Sequence, residues 1–302
     1  MSGKARCEWC GCGLPFKQGV LSIPTRAKSA ADRIYRPSGG PHLAGVHFAD
    51  NVQVYSVSRL YRKYLDEWFP EAKGSLLDVG CGDGRLALWA LERGFEHVLA
   101  VDASLPALER LVAAARKRGF DSRLLAVCCP LAGFTLPKRR FDLILCSEVL
   151  YYLGTRARKA RFLRQMREAL SPQGKIFLAE FMFFGRLLAD AVALNVQNLR
   201  YAAERGTRLE KFGRAGGDTS QVEISHPTLA ELEAQCHAAG LRILARKGIS
   251  PISMLFQHGF TFTSYPRRPR LDRKLQRILD RLEDDCAEAS DLSRNAVLLL
   301  GI

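Results

Sequence analysis

Glycines and carboxylates at regular spacing mark the part of this chain where a ligand would bind. Gly80, Gly82 and Gly84 stand at alternate positions directly after an apolar run. Asp78 lies within that run, and Asp102 ends a second apolar run further along. Because glycine has no Cβ atom, the backbone of such a loop approaches a ligand without a steric clash. The pattern predicts a buried strand that leads through this loop into a helix, with a second buried strand beside the first.

The glycine spacing distinguishes two kinds of nucleotide-binding loop. In the dinucleotide fingerprint G-x-G-x-x-G, with Gly80 and Gly82 as the first two glycines, the third would fall at position 85, which is Arg85 here. The observed G-x-G-x-G spacing instead resembles motif I of the class I S-adenosylmethionine-dependent methyltransferases. This resemblance implies S-adenosylmethionine as the cofactor and methyl transfer as the reaction.

Further segments are similar to the same family, and the glycine loop, the strand that ends at Asp102 and residues 141–153 and 170–180 follow in the family's order. Residues 141–153 resemble its fourth strand, and residues 170–180 resemble the following loop and fifth strand. Residues 228–241 resemble the helix before strand six in small-molecule methyltransferases of the quinone-biosynthesis type. Each segment alone would indicate an ordinary buried strand or helix with a turn, whereas the ordered set favours a cofactor-binding domain.

The resemblance also implies roles for individual residues. Asp102 would accept hydrogen bonds from both ribose hydroxyls, Asp78 would orient the methionine part, and the glycine loop would pass under the cofactor. After the third predicted strand, where the family usually has an acid near the adenine, this chain has two cysteines. A thiol is a poor acceptor, so the adenine is expected to contact backbone groups around Leu131 and apolar side chains. The expected cofactor-binding residues are Asp78, Gly80, Cys81, Gly82, Gly84, Asp102, Ala103, Leu131 and Ser147.

Candidate catalytic residues follow the fourth predicted strand. Methyl transfer from a sulfonium is an in-line displacement, so the protein has to align the acceptor, methyl carbon and sulfur and to exclude water. An acidic acceptor needs no base. Where a base is needed, Glu148 and Tyr151 are the candidates, because the family places substrate-facing groups there; Tyr152 and His226 are further candidates. The alternative for both tyrosines is that they form walls of the pocket.

The elements that must position these residues predict a Rossmann-like, doubly wound α/β fold. Strands alternate with amphipathic helices, which is typical of a mainly parallel sheet covered on both faces. The sheet is expected to have seven strands, and the last of them, in residues 293–302, is expected to run antiparallel at or near the sheet edge. Besides the helix after the glycine loop, helices are expected at 56–69, 106–118, 157–170 and 228–239.

The chain is expected to divide into an arm and one domain. Residues 1–54, which start cysteine-rich and contain many Gly and Pro residues, are expected to wrap around the S-adenosylmethionine-binding domain at 55–302. Within that domain, residues 183–220 and 250–291 exceed the minimal fold. The first insertion is expected to form a helical lid over the carboxyl ends of the strands. The alternative is a helical hairpin that only adds stability.

Cysteines near the start of the chain raise the question of a metal. Cys7, Cys10 and Cys12 resemble the first knuckle of a zinc ribbon. A structural zinc needs four ligands, usually from two knuckles, and no second cysteine pair follows within range. The sequence therefore favours a thiol segment without metal, with a zinc site as the alternative. The 9 cysteines are scattered and odd in number, so reduced thiols are expected.

Charge and hydropathy limit the partners. The net charge of +14 attracts phosphates, but the basic clusters are spread along the chain without interleaved aromatic residues, so a nucleic-acid partner is possible in principle and not favoured. No apolar run is long enough to span a membrane and the start of the chain does not resemble a signal peptide, so a cytoplasmic location without membrane partners is expected. The sequence predicts no particular oligomeric state.

Three functions are compatible with these residues. The first is methyl transfer to a small-molecule metabolite, favoured by the end of the fourth strand, the lid and the quinone-type helix. The second is methylation of RNA or protein, which the basic surface favours, although the Asn/Asp-Pro-Pro-aromatic motif of amino-directed base methylases is missing. The third is a different use of the sulfonium, because motif I is specific only for the cofactor. We expect the first, with the O, N or C acceptor atom open.

Overall fold

The described residues form a central β-sheet with helices on both of its faces. The computed structural model describes residues 2–6, 13–23, 52–71, 73–131, 135–183, 209–212, 222–249, 281, 293 and 295–302. In chain order the strands of the main sheet are β1 (Ser2–Arg6), β2 (Gly13–Lys17), β3 (Val20–Ser22), β4 (Ser75–Val79), β5 (His97–Asp102), β6 (Leu124–Cys128), β7 (Phe141–Ser147), β8 (Leu170–Phe181), β11 (Arg242–Ile249) and β12 (Asn295–Gly301). Two further strands, β9 (Leu209–Phe212) and β10 (Val222–Ser225), pair with each other.

The strand order of the main sheet is β1-β2-β3-β6-β5-β4-β7-β8-β12-β11. The strands from β3 to β8 in this order pair in parallel, whereas β12 is antiparallel to both β8 and β11. This arrangement confirms the predicted Rossmann-like class and the antiparallel final strand. β12 lies one position in from the edge, and its first residue, Asn295, pairs with Phe181 at the carboxyl end of β8. Asn295 is thereby brought to the edge of the sheet where the glycine loop lies.

The sheet has ten strands, so the prediction of seven is wrong. The additional strands are β1, β2 and β3, which lie in the segment predicted to wrap around the domain. β3 pairs in parallel with β6, and β2 and β1 follow as antiparallel strands. Without them β6 would expose unpaired backbone N–H and C=O groups, which an added strand satisfies. β1 (SGKAR) and β2 (GLPFK) contain few apolar residues and β3 has only three residues, so these strands carry too little apolar pattern to be found from sequence.

Five α-helices lie within the described residues, and the sequence predicted all of them with slightly different ends. They are α1 (Val52–Trp68), α2 (Arg85–Arg93), α3 (Leu105–Lys117), α4 (Arg156–Ala169) and α5 (Leu229–Ala238). Ser104 caps α3 by accepting a hydrogen bond from the N–H of Ala107, and Thr228 and Glu231 form a reciprocal capping box at α5. These caps fix the points at which the chain turns from strand into helix.

Apolar side chains fill both faces of the sheet. On one face α1, α2 and α3 cover a cluster that includes Leu60, Leu86 and Leu108. On the other face α4 and α5 cover a second cluster, which includes Phe162 and Leu232. Burying one such side chain contributes roughly 1.5–3 kcal/mol. The two layers therefore hold the ends of the parallel strands in a fixed arrangement.

Only part of the predicted insertions lies within the described residues. In the first insertion, Leu209–Phe212 is a strand that pairs with Val222–Ser225, so the prediction of a helical lid is wrong for this piece. The rest of that insertion beyond Phe183, nearly all of residues 250–291, and Cys7, Cys10 and Cys12 lie outside the described residues. None of the helices that the structure describes is long and apolar enough to cross a membrane.

Candidate active site

The glycine loop between β4 and α2 is folded against its neighbours at two of its three glycines. Gly80 has a φ of +65° and Gly84 a φ of +87°, values that favour glycine. A Cβ atom would overlap the side chain of Val149 at Gly80 and that of Leu111 at Gly84. At Gly82, whose φ is +56°, a Cβ atom would meet no atom within 4 Å. Two of the predicted glycines therefore serve close packing, and Gly82 faces open space.

Asp102 connects the end of β5 to the glycine loop. Its Oδ2 accepts a hydrogen bond from the N–H of Gly82 at 2.8 Å, and its Oδ1 accepts one from Ser104 at 2.7 Å. Burial raises the pKa of this carboxyl, and the two N–H donors oppose that shift. Each carboxylate oxygen keeps a further lone pair, so the side chain is fixed in place and can still accept from ribose hydroxyls.

Two buried polar atoms at neighbouring strand ends lack partners. Asp78 is 2% exposed, and its Oδ2 has no hydrogen-bond partner among the described residues. Burial raises the pKa of Asp78 to about 7, and the charge of Arg85 opposes this. The Oγ atom of Ser147, at the end of β7, is likewise buried without a partner in the described part of the chain. Both atoms suit the polar amino-acid end of a cofactor; the resemblance predicted this role for Asp78 and named Ser147 only as a cofactor-binding residue.

The end of β6 offers backbone and apolar groups. The thiol of Cys128 donates a weak hydrogen bond to the carbonyl oxygen of Ala103 at 3.6 Å. Leu131 is half-buried and packs against the apolar cluster under α4 and α5. Cys81, within the glycine loop, is buried, and that burial raises the pKa of its thiol well above the ordinary value. The contacts of Ala103, Leu131 and Cys81 with an adenine or a methionine chain stay predictions.

Glu148 lies directly after β7 in a left-handed backbone conformation, with a φ of +60°. Its N–H donates to the carbonyl oxygen of Ala179 at 2.7 Å, and this hydrogen bond holds the backbone of Glu148 against β8. Its Oε1 accepts hydrogen bonds from the hydroxyl of Tyr61 at 3.1 Å and from Nδ2 of Asn295 at 3.4 Å. The structure therefore places this candidate base in a polar network that joins α1, β7 and β12.

Tyr151 is buried in a group of rings. Its ring centroid lies 4.2 Å from that of Tyr152, 5.6 Å from that of Phe181 and 5.3 Å from that of His226. Tyr151 and His226 are both almost fully buried. The geometry favours the pocket-wall alternative for Tyr151 over a role in proton transfer. It also brings together three of the residues that the sequence marked as candidates.

Glu180, near the end of β8, is a site residue that the sequence analysis did not single out. It is fully buried, and its Oε1 accepts hydrogen bonds from the N–H groups of Val149 at 3.0 Å and Leu150 at 2.8 Å. Burial raises its pKa to about 7, and the charge of the buried Lys159 opposes that shift. The available signal was an acid directly after the apolar run at 176–179.

Four adjacent strands thus each carry a carboxylate at the carboxyl end. In the sheet order β5, β4, β7 and β8 these are Asp102, Asp78, Glu148 and Glu180. The open space at Gly82 and the unpartnered oxygen of Asp78 fit S-adenosylmethionine, whose sugar hydroxyls and ammonium group are hydrogen-bond donors. Within the described part of the chain, no group of three or more His, Cys, Asp or Glu residues could hold a metal ion.

Comparison with known proteins finds methyltransferases among the relatives of this chain. A putative methyltransferase from Encephalitozoon cuniculi is 30% identical over 138 residues, which are 43% of this chain and 58% of that relative. The chain thus spans little more than half the length of this relative, and it matches 37% of a probable methyltransferase from Aspergillus luteorubrus. Other curated relatives are named for methylation of protein arginine and of tRNA. Their names share the reaction and differ in the acceptor.

Solved structures share the fold. An S-adenosylmethionine-dependent methyltransferase from Mesorhizobium loti is similar with a TM-score of 0.51 and 19% identity, covering 79% of this chain and 95% of that one. A geranyl diphosphate C-methyltransferase from Streptomyces coelicolor, solved with S-adenosyl-L-homocysteine, has a TM-score of 0.52 and 13% identity, covering 80% and 75%. Residues 54–246 match the family model described as a methyltransferase domain. The chain belongs to this family of S-adenosylmethionine-dependent methyltransferases.

Proposed function

We propose that the protein transfers the methyl group of S-adenosylmethionine to a small-molecule acceptor. The observation that carries this proposal is the row of carboxylates at four adjacent strand ends, Asp102, Asp78, Glu148 and Glu180. A polynucleotide brings phosphates to the site where it reacts, and clustered carboxylates repel them. In a chain with a net charge of +14, this local excess of acids favours a neutral or cationic acceptor.

The cofactor-binding part of the proposal assigns one task to each residue. The bound cofactor supplies a sulfonium with an electrophilic methyl group. Asp102 accepts the ribose hydroxyls, while Asp78 and Ser147 bind the amino-acid end. The bare backbone at Gly82 lies against the cofactor. Ala103 and Leu131 line the adenine side, where backbone and apolar groups replace the usual acid.

Proton removal is assigned to Glu148. Its Oε1 is held by Tyr61 and Asn295, so the second oxygen of the carboxylate has a fixed position. As the acceptor atom forms its new bond to carbon, its proton passes to Glu148. The side chain is only half-buried, so the proton is then released to solvent. Tyr151 and Phe181 provide an aromatic wall that excludes water from the displacement.

A second acceptor class is favoured by one surface feature. The exposed side of α4 carries Arg156, Arg158, Arg161, Arg164 and Arg167. Within the described residues none of these five arginines forms an ion pair. This side of α4 is therefore a suitable surface for a polyanion. RNA is therefore the competing substrate, with the helix as its contact.

Transfer of labelled methyl groups tests the proposal. The purified protein is incubated with methyl-labelled S-adenosylmethionine and, separately, with metabolite, RNA and protein fractions of the source organism. We expect label in the metabolite fraction, and we expect Glu148→Gln to slow its transfer at least tenfold. The matched control Glu96→Gln changes an exposed glutamate on another loop. Label that enters only RNA or protein, or no fraction at all, would refute a small-molecule acceptor.

A further inference from the structure

We propose that Glu148 and Asn295 form a subsite that binds an amino group of the methyl acceptor. This inference rests on the proposed function and names the chemical class of its substrate. The two side chains come from distant parts of the chain, since Glu148 follows β7 and Asn295, 147 residues later, begins β12. The hydrogen bond from Asn295 Nδ2 to Glu148 Oε1, at 3.4 Å, joins them.

Asn295 supplies a buried acceptor without a partner. The residue is 0% exposed, and its Nδ2 is directed to Glu148. Its Oδ1 has no hydrogen-bond partner among the residues that the structure describes. A buried carbonyl oxygen without a donor is unfavourable, because it has lost water and gained nothing in exchange. A ligand with an N–H group at this point would supply the missing donor.

Glu148 supplies a second open acceptor beside the first. Its Oε1 already receives the Tyr61 hydroxyl and the Asn295 amide, whereas the described part of the chain places no donor on its Oε2. The left-handed backbone at Glu148, with a φ of +60°, is uncommon for this residue type. Strained residues of this kind are found preferentially at functional sites, where the surroundings hold a side chain in one position.

The chemistry of the ligand follows from the two open atoms. Both are acceptors, so they require a ligand that offers at least two hydrogen atoms. A hydroxyl group donates one hydrogen bond, whereas an amino group donates two or three. The carboxylate of Glu148 itself favours an amine that carries positive charge and opposes phosphate or carboxylate groups.

An aromatic ring is available for the remainder of the acceptor. Phe181 pairs directly with Asn295 across β8 and β12, so the two side chains lie on the same face of the sheet. Phe181 is half-buried, and its ring is part of the group that contains Tyr151. The amine subsite therefore borders an apolar wall, as a small organic amine requires.

Selective chemical blocking tests the amine directly. A metabolite extract of the source organism is treated with acetic anhydride and then with hydroxylamine, which removes acetyl groups from hydroxyls and leaves acetylated amines blocked. With methyl-labelled S-adenosylmethionine, we expect the treated extract to lose at least nine-tenths of its acceptor activity, whereas a mock-treated extract keeps it. Label transfer to metabolites that survives the treatment would overturn the amine subsite and leave the small-molecule function intact. Absence of any transfer to metabolites would overturn both.

Two variants connect the result to the named residues. Asn295→Leu has similar volume without the polar atoms, and Glu148→Gln keeps the shape without the charge. We expect each to raise KM for the extract-derived acceptor at least tenfold, while the affinity for S-adenosyl-L-homocysteine in calorimetry stays within twofold. An unchanged KM in Glu148→Gln, whose side chain is not fully buried, would overturn the subsite even if Asn295→Leu fails to fold. Glu96→Gln is the control for both.

Discussion

The carboxylate of Glu180 accepts a hydrogen bond from the N–H of Val149 at 3.0 Å, and Val149 is the residue whose side chain packs against Gly80. A buried acid on β8 therefore determines where the turn after β7 meets the glycine loop after β4. This relationship makes Glu180 a positioning residue, because it acts on the cofactor site through Val149.

Replacing Glu180 should separate its hydrogen bonds from its charge. Glu180→Ala removes the acceptor of two N–H groups and the negative charge that faces the buried Lys159, so we expect a loss of about 3 kcal/mol in the free energy of unfolding. Glu180→Gln keeps one oxygen that accepts, and its loss should be roughly 1 kcal/mol. Urea unfolding measures both values. Equal stability of the two variants with the wild type would contradict this role.

Asp102 should be essential for the cofactor and dispensable for the fold. In Asp102→Ala the ribose hydroxyls lose their acceptor, so we expect no detectable binding of S-adenosylmethionine in calorimetry with a near-native circular dichroism spectrum. Asp121→Ala, at an exposed position after α3, is the matched control and should bind normally. Near-normal affinity in the Asp102 variant would show that the ribose binds elsewhere.

The glycines of the loop should respond differently to alanine. All three have positive φ, so each substitution carries the same type of backbone cost, about 1–2 kcal/mol. Gly80→Ala and Gly84→Ala additionally force overlap with Val149 and Leu111 and should lower the melting temperature strongly. Gly82→Ala should lower it least and weaken cofactor binding most, because its methyl group enters the ligand space. Thermal unfolding measures the melting temperatures of the three variants, and calorimetry measures their affinity for the cofactor. Equal losses of melting temperature and of affinity in all three variants would contradict this prediction.

The pH dependence of the free energy of unfolding should reveal the raised pKa of Asp78. Its pKa is about 7 in the folded chain and about 3.9 in an unfolded chain. Between these values the folded state holds a proton that the unfolded state has released, so stability falls as the pH rises from about 4 to about 7. Asp78→Asn removes this pH-dependent part of the free energy of unfolding. The variant should therefore lose less stability than the wild type between pH 5 and pH 7, which lies between the unfolded and folded pKa values of Asp78. Parallel urea-unfolding curves would mean that Asp78 is ionised throughout.

Local patterns in the sequence were sufficient for much of the fold and for the position of the glycine loop. Apolar runs with turn residues predicted the parallel strands, and the spacing of Gly80, Gly82 and Gly84 identified the loop. Such signals extend over a few residues, so they survive without knowledge of the neighbours. The same signals were too weak for β1, β2 and β3, which form strands because β6 offers them a partner.

The acceptor side depends on tertiary structure. Asn295 is 147 residues from Glu148, and their contact arises because β12 inserts antiparallel beside β8 and brings its first residue to the carboxyl edge. The roles of Glu180 and of Gly80 likewise depend on which strand lies next to which. The sequence by itself determined the class of fold and the position of the glycine loop, because these are encoded by periodicity and glycine spacing. Only the packed sheet decided which polar atoms meet at Glu148, since strand order is a property of the whole chain.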